Sequence, residues 1–384
     1  MNSDPKIKEI TISSNADTEI LIKEYTRQWI GDKEITKCVS MKVERNKLLE
    51  AQYFRAMFGH ARWLESGSQK ITLEEDNCTG MEVLLRSLHG TLDDMPLDSV
   101  TVAGTWHVIM SCDKYNVDQK SLSSWFKAWW EQESQKRINI DNYIRFSREL
   151  MYPCFVFDNA PAFMAVTRKL VYGCVGHITE HNPTDILRMH LPPRIIRESL
   201  TTLFLNGPIT SLNAARGRLR NILHRELHDQ MATILKYGNC VCKELTVFEY
   251  LRELARIDVW PLEESMRTDS IKKMLERLRL FDATKMRKLT DPLSGKVRPC
   301  SYCNTAWDAI VLRAAKKVAE YFHGLCLDCM DISKDLRSDG DRDQDYWKHN
   351  ELKKWDTGCR VKHGEPTWYF SFMGRREKRG LIGD

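Results

Sequence analysis

Two Cys-x-x-Cys pairs, Cys300-Ser301-Tyr302-Cys303 and Cys326-Leu327-Asp328-Cys329, are the residues in this chain best suited to chemistry. Two intervening residues let both thiolates of a pair reach one tetrahedral ion from a tight turn. Twenty-two residues separate the pairs, close to the spacing of many zinc sites. Four sulfurs at about 2.3 Å would close the shell and make the ion structural. Cys359 and His363 have a plausible ligand spacing of their own, and Cys240-Val241-Cys242 is a tighter pair also seen in metal sites. Together these are eight donors, Cys240, Cys242, Cys300, Cys303, Cys326, Cys329, Cys359 and His363, enough for one or two structural Zn2+ ions. The sequence leaves their pairing open: Cys240 and Cys242 are able to join either knuckle, or Cys359 and His363.

Catalytic chemistry is poorly supported. A catalytic zinc keeps three protein ligands and one open position, and all-cysteine knuckles fill the shell. The deaminase pattern needs His-x-Glu followed by Pro-Cys-x-x-Cys. Pro299 to Cys303 supplies the second half, but His349-Asn350-Glu351 and His363-Gly364-Glu365 come after it. Only His224-Arg225-Glu226 precedes it, and from far upstream. His224 and His228 share a helical face at i and i+4. Glu226 lies about 200° around the helix from His224, a poor place for a general base. These histidines, like His349 beside Trp347, read as packing or surface residues. There is no G-x-S-x-G, no G-x-G-x-x-G after a strand and no phosphate loop. Ser294-Gly295-Lys296 lacks the upstream glycine such a loop needs. The chain reads as a non-enzyme, with a zinc hydrolase or deaminase as the remotest alternative.

The elements that must position these residues belong to an ordinary globular composition. Of 384 residues, 42% are hydrophobic and 29% charged, which suits two or three domains with real cores. A net charge of +5 neither demands nor excludes a nucleic-acid partner. No apolar run of about 18 residues occurs, so no membrane span is expected. Met1 to Lys6 does not resemble a secretory start, and the chain is expected inside the cell, in cytoplasm or nucleus. Of twelve cysteines, Cys38, Cys78, Cys112, Cys154 and Cys174 are scattered singly and read as small buried hydrophobes. The other seven lie between 240 and 359. In a chain with no secretory signal, that clustering argues for metal rather than disulfides.

Three regions follow from the patterning. In the first, Ile20-Leu21-Ile22 and the alternation of Val39, Met41 and Val43 predict strands, with a turn over Ile30 to Lys33 between them. Leu49, Tyr53 and Met57 predict a helix, Ile71 and Leu73 a strand, and 81–88 and 102–117 two helices. Tyr53, Phe54 and Phe58 read as packing residues. In the second, 121–136 carries Trp125, Phe126, Trp129 and Trp130 on a helix suited to packing on what precedes it. Helices are also predicted over 167–179, 193–203 and 217–235. The third holds the cysteines, a helix over 307–322, an Asp-rich loop over 331–345, a strand at Trp368 to Phe372 and a short basic tail at Arg375 to Arg379.

The order strand, turn, strand, helix with Tyr-Phe, strand, helix, helix is sharpened by specific residues. They are Leu48 to Phe58 (LLEAQYFRAMF), Glu65-Ser66, Ile71-Thr72-Leu73, Leu88-His89-Gly90, and Trp106 to Ile109 running into Asp113-Lys114-Tyr115. Residues 17–125 resemble a BTB/POZ domain. Ala51 stands where the family often has Ser, and Cys112 where it often has Ala. With Leu212 to Leu219, Val259 to Glu263 and Trp368 to Gly374 added, most of the chain resembles filamentous-fungal BTB-domain proteins of unassigned function. The expected architecture is α+β: a BTB-like domain of small sheet plus helices over 17–125, a helical extension over 126–236, and a small zinc-stabilised α+β module over 237–384. The resemblance implies a non-enzymatic interaction or adaptor protein that binds protein partners, with self-association into a homodimer and docking to a cullin-type ubiquitin ligase as the family's options. The alternative is a zinc-containing nucleic-acid-binding regulator, for which Arg216, Arg218, Arg220 and the basic tail are the candidate contacts. The Asp-rich loop weighs against it.

Overall fold

The computed structural model describes residues 7–25, 34–59, 67–136, 143–184, 189–192, 195–196, 211–288, 303–328 and 359–362. The predicted turn at Ile30 to Lys33, Glu65-Ser66, most of the 193–203 helix, the Asp-rich loop, the Trp368–Phe372 strand and the basic tail lie outside these residues. The chain divides into two compact units, one made of 1–162 with 181–190 and the other of 163–180 with 191–384.

The first unit is α+β. Strands β1 (Lys8–Thr11), β2 (Thr18–Tyr25), β3 (Ile35–Val43) and β4 (Lys70–Glu74) form one mixed sheet in the order β1-β3-β2-β4. β2 and β3 pair antiparallel, while β1 runs parallel to β3 and β4 parallel to β2. The register sets Ile20 opposite Met41 and Ile71, and Ile22 opposite Val39 and Leu73. All six are buried, so the alternation read from the sequence becomes one apolar face. Ser40 is a buried exception; its hydroxyl donates to Glu19 Oε1 at 2.8 Å.

Helices α1 (Arg45–Leu48) and α2 (Gln52–Gly59) replace the single helix expected through Leu49, Tyr53 and Met57. The chain turns at 49–51, and the Arg55 guanidinium donates to the Leu49 and Glu50 carbonyls that the break leaves open. Phe54 is buried, but Tyr53 is 39% exposed and meets Tyr115 edge-on at 4.8 Å and Phe54 edge-on at 5.8 Å. Helices α3 (Cys78–His89) and α4 (Val102–Lys114) pack as a pair. Gly80 allows it: a Cβ there would meet the His107 carbonyl carbon at 2.8 Å. Tyr115, at the end of α4, stacks on Phe54 at 5.0 Å and donates to the buried Asp76 at 2.7 Å. Lys114 pairs with the same carboxylate at 2.8 Å.

Helix α5 (Ser123–Lys136) buries all four of its predicted aromatics, and the Trp129 indole donates to the Val100 carbonyl at 2.8 Å. Helix α6 (Tyr143–Val156) contains Pro153. Proline has no N–H, so the Glu149 carbonyl loses its i+4 donor. The Trp106 indole N–H takes that place at 2.8 Å. Helix α7 (Ala160–Gly173) starts earlier and stops earlier than the predicted 167–179. Asn159 Oδ1 accepts from Ala162 N at its start. Beyond its end, the Asn213 side chain satisfies both backbone groups of Ile178, leaving no need of helix there. The division between the units falls inside α7.

The second unit is helical among the described residues, and no described strand follows Glu74. Helices α8 (Ser211–Tyr237), α9 (Lys243–Arg256), α10 (Leu262–Thr268), α11 (Ile271–Leu278) and α12 (Trp307–Tyr321) complete it. Packing of α12 along α8 is its main helix contact, flanked by the ion pair of Lys317 with Glu226 at 2.6 Å. No described helix is long and apolar enough to cross a membrane.

Candidate metal centres

The second unit gathers Cys240, Cys242 and Cys303 into one group and Cys326, Asp328 and Cys359 into another, with the donor atoms of each group within 4.8 Å of one another. Among the described residues, Cys303 groups with the Cys-x-Cys pair and Cys326 with Asp328 and Cys359. Cys300, Cys329 and His363 lie outside the described residues. None of the described cysteines is in a disulfide.

The first group is built by three helix ends. After α8, Gly238 N donates to the Ile234 carbonyl at 2.9 Å and the chain turns through 239–242. Cys242 sits immediately before α9, and its carbonyl accepts from both the Thr246 N–H and the Thr246 hydroxyl at 2.9 Å. A sulfur at a helix N-terminus meets the positive end of the dipole, which favours thiolate. Cys303 arrives four residues before α12 begins. The register between these ends is set by aromatic packing. Tyr250 of α9 stacks on Trp307, the first residue of α12, at 4.0 Å, and its hydroxyl donates to the Leu227 carbonyl of α8 at 2.9 Å. Burial pushes the Tyr250 phenol well above its ordinary pKa, so it stays a donor.

The resulting Sγ–Sγ separation of Cys240 and Cys303 is 3.4 Å. Two thiolates bound at about 2.3 Å to one tetrahedral ion sit about 3.8 Å apart. A disulfide would need about 2.05 Å. The spacing therefore fits co-ligands of one ion, and three converging thiols are donors of the kind that zinc takes.

The second group hangs on α7. Past the end of α12, Phe322 N donates to the Tyr172 hydroxyl, which itself donates to the Val318 carbonyl at 2.7 Å. Leu325 N donates to Thr167 Oγ1 at 2.9 Å. Between them Gly324 has φ +113°, and a Cβ on it would collide with the Met164 carbonyl. This tight passage delivers Cys326 to a buried position, 1% exposed. Asp328 was not singled out by sequence reasoning. Its Oδ2 accepts from Arg360 N at 2.7 Å and its Oδ1 from Arg360 Nε at 2.8 Å. With both oxygens engaged, Asp328 clamps the residue after Cys359 and so holds Cys359 against Cys326. Each carboxylate oxygen keeps a second lone pair, so Asp328 is placed both to hold Arg360 and to offer an oxygen beside the two sulfurs.

His224 and His228 join neither group. The His228 Nδ1–H donates to the His224 carbonyl at 2.8 Å, and Glu226 is taken by Lys317 and Arg313.

Among known proteins, no family model, no curated protein and no solved structure matches the chain.

Proposed function

We propose that the chain is a non-enzymatic interaction protein: a BTB-like N-terminal domain that binds protein partners, with a C-terminal part stapled by two structural zinc ions. The observation that carries the zinc half is the sorting of distant cysteines into two groups. By knuckle spacing Cys300 completes the first set with Cys240, Cys242 and Cys303. Cys329 and His363 complete the second with Cys326 and Cys359. Each set then has four donors, which closes a tetrahedral shell and leaves no position for a reactive water. Zinc suits a region whose described α-helices after α8 have 7 to 15 residues, because metal binding contributes directly to folding.

The BTB half is supported by the antiparallel β2–β3 pair, the β4 strand parallel to β2 and the packed α3–α4 pair. It is also supported by the meeting of the two sequence motifs, Tyr53-Phe54 and Asp113-Lys114-Tyr115, through ring contacts. The nucleic-acid reading gains nothing from its arginines. Arg216 is buried, and Arg218 and Arg220 are half-buried, too recessed to line up along the backbone of a nucleic acid, which is met by a row of surface cations. The test is solution mass by light scattering, together with binding of a purified cullin N-terminal domain. A homodimer or a saturable cullin complex supports the reading. A monomer that binds no cullin at 100-micromolar scale, about the weakest useful range for such contacts, removes it.

A further inference from the structure

A cleft of about 1110 Å³ in the second unit lies outside both cysteine groups. One wall is a single stripe of α8: Arg216, Arg220, His224 and His228, each four residues from the next. The other includes Trp260 and Met266.

The electrostatics of that wall are unusual. Arg216 is only 6% exposed, yet among the described residues no carboxylate pairs with it. Burial, and then the charge of Arg220, pull its pKa down to about 10, so it is still a cation at neutral pH. Arg220 gives one N–H to the Met266 carbonyl, while its Nε is buried without a partner. Two adjacent guanidinium groups, partly desolvated and with no carboxylate paired to either among the described residues, are costly unless an anion joins them. Glu263 and Glu264 also line the cleft, but both are exposed and neither forms an ion pair with either arginine. His228 spends its Nδ1–H on the helix backbone and leaves Nε2 buried and unpartnered in the same cleft. A neutral Nε2 accepts a hydrogen bond. Trp260, 37% exposed, stands 5.6 Å from the His228 ring and offers an aromatic surface to the cleft.

We infer that this cleft binds a small organic phosphate. The phosphate bridges Arg216 and Arg220, planar guanidinium forks suited to two-point recognition of phosphate oxygens. A ring or sugar carrying a hydroxyl or amino donor lies against Trp260 and gives its hydrogen to His228 Nε2. The cleft is large enough for a ligand of nucleotide size.

The test uses the intact chain and isothermal calorimetry at low salt, with three probes: AMP, inorganic phosphate and adenosine. AMP is expected to bind at least tenfold more tightly than inorganic phosphate, and adenosine not at all. Arg220→Met should weaken AMP and phosphate together by tenfold or more, and Trp260→Ala should weaken AMP while leaving phosphate unchanged. Trp260→Ala removes an exposed ring, so it keeps the test open if Arg220→Met fails to fold, with circular dichroism reporting the fold of each. Two outcomes overturn the assignment: neither AMP nor phosphate binding at millimolar concentration, or AMP binding that both variants leave intact. Phosphate binding with no preference for AMP overturns the ring half of it.

Discussion

Cys240 and Cys303 stand 63 positions apart in the chain, and their sulfurs are 3.4 Å apart. What joins them is not local sequence. Tyr250, between them in the chain, packs on Trp307 and hydrogen-bonds α8, which brings the start of α12 to the turn between α8 and α9. The sulfur pair follows from that packing, and zinc would then lock it.

If these two sulfurs serve one ion, their substitutions are not additive. Cys240→Ser and Cys303→Ser should each lower the urea midpoint of the second unit. The double variant should cost little more than either alone, because the ion is already lost. Cys303→Ser with Cys359→Ser should add nearly in full, since those cysteines are in different groups. Additivity within the first pair contradicts a shared ion.

The Tyr250–Trp307 contact should matter even without metal. Tyr250→Phe keeps the ring and removes the hydroxyl's bond to the Leu227 carbonyl, which keeps its own helix N–H, an expected loss of about 0.5–1.5 kcal/mol. Trp307→Ala removes a buried indole and should cost about 3–5 kcal/mol. Chemical denaturation in the presence of chelator measures both. A larger loss for Tyr250→Phe than for Trp307→Ala would refute this division of roles.

Gly324→Ala tests the passage that delivers Cys326. The new methyl would collide with the Met164 carbonyl at a backbone angle that L side chains rarely adopt. The expected result is loss of one bound metal per chain, the one held by Cys326 and Cys359, with the first site intact. Full metal content in that variant would show that the passage does not position the ligand.

In the first unit, Trp106→Phe leaves the Glu149 carbonyl without the donor that Pro153 cannot supply. The expected cost is about 1–3 kcal/mol. Pro153→Ala restores a backbone N–H and should recover part of that loss in the double variant. No recovery would mean the indole matters through packing alone.

Asp269 carries the pH dependence of the α10–α11 junction. The Lys273 ammonium at 2.6 Å holds its carboxyl below the ordinary range, against the opposing effect of burial and with help from Arg277. A lowered folded-state pKa gives stability that is complete above the unfolded value, about 3.9. It is lost as pH falls through the folded value. The wild type should therefore exceed Asp269→Asn in urea midpoint at pH 7, and the gap should narrow below pH 4. A gap that widens in acid would reverse the sign.

Much of the first unit was legible because its elements obey simple periods. Ile20, Ile22, Val39, Met41, Ile71 and Leu73 alternate as strand residues do, and Trp125 to Trp130 repeat as a buried helical face does. The break at 49–51 was not legible, because its freed carbonyls are satisfied by the Arg55 side chain, which no period reports. The early end of α7 was hidden for the same reason, its backbone partner Asn213 being distant in sequence. At the metal centres, residue type and local spacing identified the cysteines, and their grouping depended on helix packing over more than sixty residues. Asp328 escaped notice because its meeting with Arg360 and Cys359 is a contact that spacing does not encode.

The most direct test of the two-centre account is metal content, by mass spectrometry of the chain under native conditions and again after denaturation. The account predicts two zinc ions per chain, both lost on denaturation, and one in Cys240→Ser. A single ion in the wild type, or none in protein prepared without chelator, would contradict it.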